Sequence, residues 1–279
     1  MSRPELEPIE CDREPIHLSG HIQPHGILIV LQEPDLTILQ ISANVSNYFG
    51  VHPEQLLGKN LSALLSKHQT RRIFAYSQQA NLEANNPFEL KVRIHQPRQN
   101  SSIYFQRFHG ILHRNRDHIL ILELEPYVNS EGSSHRFHSD KSVEFYHLLQ
   151  GFMARMRQIN TLTEFAQLLA SKVREISGFD RVMVYQFDPI TQGGLVIAEA
   201  KEPHLDSYLG LHYPASDIPQ KARQIFSENW LRFIPDVREQ DIPIVPPLHP
   251  LTQSPLDLTH AGLRSVSAGH IEYLQNMGV

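Results

Sequence analysis

Apolar positions along this chain fall into two regimes separated by a polar gap. Ile27-Leu28-Ile29-Val30-Leu31 and Leu36-Thr37-Ile38-Leu39 are strand-like runs on either side of Glu33-Pro34-Asp35, a good turn. They predict a β-hairpin over residues 26–40. Asn44 to Gly50, Pro53 to Leu57 and Gly58 to Leu61 predict short helical turns with a glycine exit. Lys67 to Glu83 predicts a longer helix, and Phe88 to His95, Ser102 to His109 and Asp117 to Leu124 have strand composition. A hairpin, short helices and a three-stranded run together describe an antiparallel sheet with helices on one face.

Val128 to Lys141 has almost no apolar content and a Gly-Ser-Ser core, so it reads as a linker. Beyond it, Val143 to Met156 and Leu162 to Ser177 have helical spacing. The second helix opens on Thr161 to Glu164, which resembles a capping box, and ends at Gly178. Strands follow at Arg181 to Phe187 and Gly194 to Ala200, then a helix over Lys221 to Trp230. Pro235, Pro243, Pro246, Pro247, Pro250 and Pro255 exclude regular helix from Ile234 to Pro255. A loop of that length in a compact domain implies a function, with a surface insertion as the plainer alternative. His270 to Met277 is helix-like and leads toward another strand. A domain with only two strands leaves an edge unpaired, so the chain reads as a fragment.

Composition narrows the class. Hydrophobic residues make up 41% and charged residues 20%, with a net charge of −5. No basic run offsets that balance, which argues against nucleic acid or an anionic membrane surface as partner. No apolar stretch approaches the ~18–20 residues of a membrane span. The acidic start lacks a signal core, so the expected location is cytoplasmic.

The single cysteine, Cys11, allows no internal disulfide and no thiolate zinc site. Its polar setting (Glu10, Asp12, Arg13, Glu14) argues for an accessible sulfur, although a lone cysteine is more often an inert small hydrophobe. Among 17 histidines, His17, His21 and His25 fall at i, i+4 and i+8, but Gly20 and Pro24 interrupt any helix that would align them on a metal. No metal site is expected.

Three segments carry a resemblance. They are Cys11-Asp12-Arg13-Glu14-Pro15-Ile16-His17 running into Ile22-Gln23-Pro24-His25-Gly26, then Tyr213-Pro214-Ala215-Ser216-Asp217-Ile218-Pro219, and Leu263 to Val279 around Ser265, Ser267 and His270. In order and spacing they resemble the hallmark segments of phytochromes, and the subtype resembles bacteriophytochromes. The resemblance implies an α+β architecture: an N-terminal bilin-linking segment (1–25), a PAS domain (26–127), a linker (128–141) and a GAF domain (142–279) incomplete at its C-terminus. It further implies a figure-of-eight knot, in which the leader at Ile22 threads a proline-rich insertion at about 233–263. From pattern alone a knot would not be proposed.

The resemblance implies red/far-red light reception by a linear tetrapyrrole, biliverdin IXα. Plant phytochromes carry their linking cysteine just before the GAF histidine, where this chain has Gly269. Once a bilin is granted, any thioether must use Cys11, the only sulfur nucleophile. Asp217, with Ile218 and Pro219, and His270 resemble the family's central site. Arg232 and Arg264 match propionate-holding positions, where a bidentate guanidinium suits a carboxylate. Ser265 and Ser267 would add hydroxyls. Tyr185, Tyr213, Phe226 and Tyr273 would form aromatic walls, and Met183 would fill an apolar gap. Each is, taken alone, also an ordinary core or surface residue. Implied partners are a second copy of the chain, PHY and histidine-kinase domains in cis, and a response regulator.

Two alternatives stay open: a GAF-type sensor of a cyclic nucleotide or haem, and a pigment-free dimerisation scaffold. An enzyme is disfavoured in these residues, which carry no Gly-rich phosphate loop and no nucleophile elbow.

Overall fold

Ile27–Leu31 has no polar face, and the fold gives each face a core. In the computed structural model, which describes residues 15–94, 104–127 and 150–278, the strand β2 (Ile27–Gln32) turns Ile27, Ile29 and Leu31 into one apolar cluster and Leu28 and Val30 into another. Alternation along the pleat sends successive side chains to opposite faces, so a continuous apolar run marks a strand covered on both sides.

The chain divides into two compact units. The first comprises residues up to 128 together with residues from 221 onward, and the second lies between them. Residues after 220, which the sequence reading grouped with the second domain, therefore pack in the first unit.

The first unit is built on a seven-stranded antiparallel sheet, in order β1-β10-β3-β2-β6-β5-β4. Its strands are β1 (His21–Ile22), β2, β3 (Thr37–Ser42), β4 (Phe88–Ile94), β5 (Tyr104–Arg114), β6 (Leu120–Pro126) and β10 (Ile242–Val245). The predicted hairpin and three-stranded run are present, with the last strand displaced a few residues downstream. One face packs on the helical turns and on α1 (Val45–Phe49) and α2 (Lys67–Ser77), burying Phe49, Leu61, Ile73 and Phe108. Helix α2 stops at Ser77, short of the predicted Glu83, where a separate 3-10 turn forms (Glu83–Asn85).

The opposite face is where the proline-rich stretch goes. Ile22, Ile244, Leu256, Leu258, Ala261 and Leu263 cover Leu28, Val30 and Ile121. The stretch has no helix, as its prolines require, and contributes β10, which pairs with β1 on one side and β3 on the other. The leader passes between two limbs of this segment. On one side Ile22 pairs with Ile242, and the Ile244 N–H donates to the Gly20 carbonyl at 3.0 Å. On the other, Ile22 bridges to Arg264, the Gln23 N–H donates to Leu263 at 2.7 Å, and the Ser265 N–H donates to His21 at 3.1 Å. Such two-sided contact is what threading of the leader through a loop produces.

In the second unit, α3 (Leu162–Ser177) packs on a sheet of β7 (Arg181–Phe187), β8 (Gly194–Lys201) and β9 (His212–Tyr213). The third strand, β9, was not anticipated. Only half of the predicted capping box forms: Thr161 Oγ1 accepts from the Glu164 N–H at 3.2 Å, whereas the Glu164 carboxylate turns to the N–H of Asn160 at 3.3 Å. Gly178 closes α3 in the left-handed conformation, φ 71°. Ala166 and Ala170 meet Ala198, Val182 and Val184, and small residues at the crossing let helix and sheet approach closely.

Candidate functional site

Arg232 and Arg264 are drawn together by the backbone that follows the proline-rich stretch. Arg264 is nearly buried, 5% exposed, and next in sequence to Leu263, whose side chain fills the second core cluster. Gly26 makes room for it, since a Cβ there would lie 2.6 Å from the Leu263 methyl carbons. Arg232, four residues beyond the end of α4 (Gln220–Glu228), donates to the carbonyls of Arg264, of Ser265 at 3.0 Å and of Gly262 at 3.4 Å. It therefore braces the segment that carries Arg264. Burial, then the neighbouring charge of Arg264, lowers the Arg232 pKa to about 10, which leaves it protonated at neutral pH.

Arg264 itself has one long side-chain hydrogen bond among the described residues, to the Thr259 carbonyl at 3.4 Å. Its pKa is lowered by burial, against the pull of Asp257 and Glu123. A guanidinium offers five donors. A buried one with so little protein partnership is suited to an anion.

His270 joins this cluster from helix α5 (Ala268–Asn276). Ser267 is the N-cap of α5, its hydroxyl accepting from the His270 N–H at 3.4 Å, so the proposed hydroxyl donor also has a structural duty. Burial, then Arg232 and Arg264, lowers the His270 pKa and favours the neutral ring. Ser265 is buried, Tyr273 half-buried on α5, and Phe226 largely open on α4, 40% exposed. Ile22 is fully buried and bridges to Arg264. Seven predicted site residues of the first unit (Ile22, Arg232, Arg264, Ser265, Ser267, His270 and Tyr273) thus lie on or beside the same stretch of chain. Cys11 lies outside the described residues.

The second unit holds Met183, Tyr185, Tyr213, Asp217, Ile218 and Pro219. A bulge between Val184 and Tyr185 breaks the alternation of β7, and the Tyr185 ring lies over Gly194, where a Cβ would come within 2.2 Å of it. Tyr185 and Tyr213 are 5.9 Å apart, and Phe187 stands 5.0 Å from Tyr185 at a steep angle. Burial, then the Tyr208 phenol, raises the Tyr213 pKa. Asp217, Ile218 and Pro219 are half-buried, in a turn closed by the Asp217 N–H on the Pro214 carbonyl at 3.2 Å. Met183, also half-buried, lies on β7. A cleft of about 680 Å³ beside these residues has Tyr213, Pro214 and Ala215 in its wall with Phe187 and Leu195.

Sequence reasoning missed Glu123, Gln23 and His25. Glu123 is buried at 2% exposure and joins His113 Nε2 at 2.9 Å, the Leu263 N–H at 2.7 Å and the Gly262 N–H at 3.1 Å. Burial opposes its charge, but His113 and the two amides outweigh that and hold the carboxyl below its usual range. Gln23 donates its side-chain amide to the carbonyls of Phe233 at 3.1 Å and Arg264 at 3.2 Å. His25 keeps a buried Nδ1 without a hydrogen-bond partner among the described residues. Only the family segment containing Gln23 and His25 hinted at a role. Glu123 gave no signal, since a glutamate alternating with leucines in β6 reads as solvent-facing.

No group of histidine, cysteine or carboxylate side chains suited to a metal occurs among the described residues. No helix there is long and apolar enough to cross a membrane.

Comparison with known proteins now decides the family. A PAS fold model matches residues 11–127. The chain is 40% identical to the chromophore-binding domain of a wild-type Stigmatella aurantiaca phytochrome, with a TM-score of 0.82 over 96% of this chain and 83% of that one. This chain belongs to the phytochrome family. The chromophore-binding domain of an R. palustris bacteriophytochrome matches equally well, at 38% identity and a TM-score of 0.82 over 96% and 81% of the two chains. Among curated phytochromes, Cyanobacterial phytochrome B of Nostoc sp. is 51% identical over 96% of this chain and 34% of its own length. A Bacteriophytochrome of Xanthomonas campestris is 36% identical over 96% and 39%. The chain spans about a third of the length of such phytochromes. The expected α+β PAS–GAF architecture agrees with these matches.

Proposed function

We propose that this chain is the light-sensing part of a red/far-red photoreceptor and holds biliverdin IXα through a thioether to Cys11. The observation that carries the reading is buried Arg264, with one long side-chain hydrogen bond among the described residues, grouped with Arg232 and His270 as a cationic site for carboxylates. The residues present fit a dianionic tetrapyrrole on that ground. When bound, the bilin supplies the photochemistry, isomerisation of the double bond between its C and D rings.

The chain's own groups orient and tune it. Arg264 and Arg232 hold the propionates, with Ser267 and Ser265 offering hydroxyls. His270, whose pKa is lowered in the pigment-free protein by burial and then by the adjacent guanidiniums, contributes a ring nitrogen near the inner pyrroles, and the charge of bound propionates shifts its proton equilibrium. Asp217, Ile218 and Pro219 contribute polar and apolar contacts, and Tyr185, Tyr213, Tyr273, Phe226 and Met183 the aromatic and apolar walls. Cys11 precedes His17 by six residues, a reach of at most about 20 Å, and the His17 carbonyl is held by the Leu258 N–H at 2.8 Å. The leader is thus anchored on the unit that carries Arg264. The domain limits given above, a PHY domain and histidine kinase in cis, a response regulator and a homodimer complete the proposal.

The test is co-expression with a haem oxygenase, then denaturing electrophoresis with zinc-enhanced fluorescence. The wild-type band fluoresces and the Cys11→Ser band is dark. A fluorescent Cys11→Ser band overturns attachment through that sulfur, and a wild type that stays colourless overturns the photoreceptor reading.

A further inference from the structure

A buried carboxylate beside the aliphatic side chains of a covered sheet face needs a reason. Leu28, Val30 and Ile121 surround the position of Glu123 on the covered face of the first unit, and an aliphatic residue there would avoid the cost of desolvating a charge. Its two oxygens instead accept from consecutive backbone amides, Gly262 and Leu263, and from His113. The Leu263 carbonyl is held from the other side by the Gln23 N–H, so the residue before Arg264 is held at both its N–H and its carbonyl. Glu123 is also the buried anion felt by both Arg232 and Arg264.

We propose that Glu123 is the positioning residue of the Arg264 site: it clamps the 262–263 amides so that the guanidinium is aimed, and its charge offsets the burial of two adjacent cations. Glu123 does not touch the ligand in this scheme and acts through Arg264. A carboxylate is required because one acceptor must serve two N–H groups while carrying a negative charge. A glutamine would present its NH2 to one of the amides, and a leucine would leave both amides unpaired. The inference rests on the bilin reading, in that the anion aimed for is a propionate.

The experiment compares uptake of biliverdin with uptake of its dimethyl ester by full-length wild type and Glu123→Gln, alongside amide hydrogen exchange in the pigment-free proteins. The expected result is that the wild-type preference for the free acid falls about tenfold in Glu123→Gln, the size of one lost charge-assisted hydrogen bond. Ester uptake stays unchanged, the Gly262 and Leu263 amides exchange faster, and adding Glu123→Gln to Arg264→Gln causes no further loss. A preference that survives Glu123→Gln overturns the proposal, as does an equal loss for acid and ester, which would mark a purely structural role. If Glu123→Gln does not fold, Glu123→Asp gives a smaller loss in the same direction, and none at all overturns the idea. Failure of the wild type to take up biliverdin counts against the bilin reading, while the exchange rates still decide whether Glu123 holds the loop.

Discussion

Ile22 shows how much one side chain of the leader contributes. It is fully buried against Ile244, Leu256 and Leu263, and its backbone pairs on both edges. Ile22→Ala is expected to destabilise the first unit by about 2–5 kcal/mol, the usual range for such a truncation in a packed core. Urea unfolding of the two proteins measures it, and a change near zero would mean that the leader does not pack as described. Glu123 predicts a pH dependence with a definite sign. Its carboxyl lies below the usual range in the fold, so its stabilisation is complete above the unfolded value of about 4.3. That stabilisation is lost as pH falls through the lower folded value. The stability gap between wild type and Glu123→Gln should therefore be widest near neutrality and narrow in acid. A gap of constant size from pH 6 to pH 3 would contradict this.

Among the elements, α5 and β8 carry the sharpest expectations. Ser267 caps α5, and Ser267→Ala should cost about 1 kcal/mol, the usual loss for an N-cap, visible as a lower unfolding midpoint. His270 in the same helix has its pKa lowered by burial and by Arg232 and Arg264. A histidine depressed in the fold contributes stability that is intact above its unfolded value of about 6.5 and is lost as pH falls through the lower folded value. Nuclear magnetic resonance of ring-labelled histidine should find His270 neutral at pH 7 in the pigment-free protein, and an imidazolium there would refute the cationic cluster. On β8, Gly194→Ala forces the Tyr185 ring off its seat, because a Cβ cannot sit 2.2 Å from it. The tyrosine near-UV circular dichroism should change, with a loss of about 1–3 kcal/mol typical of overpacking.

At the scale of the whole molecule, local pattern and long-range burial can be told apart. The hairpin, α3 with its Thr161 and Gly178 ends, and the non-helical proline stretch were all legible, because periodicity, caps and prolines act within a few residues. The charged site was legible in part. Arg232, Arg264 and His270 could be named from the family resemblance, but not the bracing of one arginine against the other's carbonyl. Glu123 was invisible: its strand alternates as a half-exposed strand does, and the cover on its outer face arrives from residues 256–263, more than 130 positions later. Ser267 likewise became a cap only once α5 began where it does.

By itself the sequence determined the longer strands and helices, the lone thiol at Cys11 and the set of cations available to meet an anion, since each depends on residue type and near neighbours. The two- to four-residue strands β1, β9 and β10, by contrast, formed only through distant pairing. Only the tertiary structure decided that both faces of β2 are covered, that the leader runs between two limbs of the proline-rich segment and that Glu123 is an interior charge. Burial is the reason: whether a side chain meets water depends on distant segments that fold over it, and no local pattern encodes their arrival.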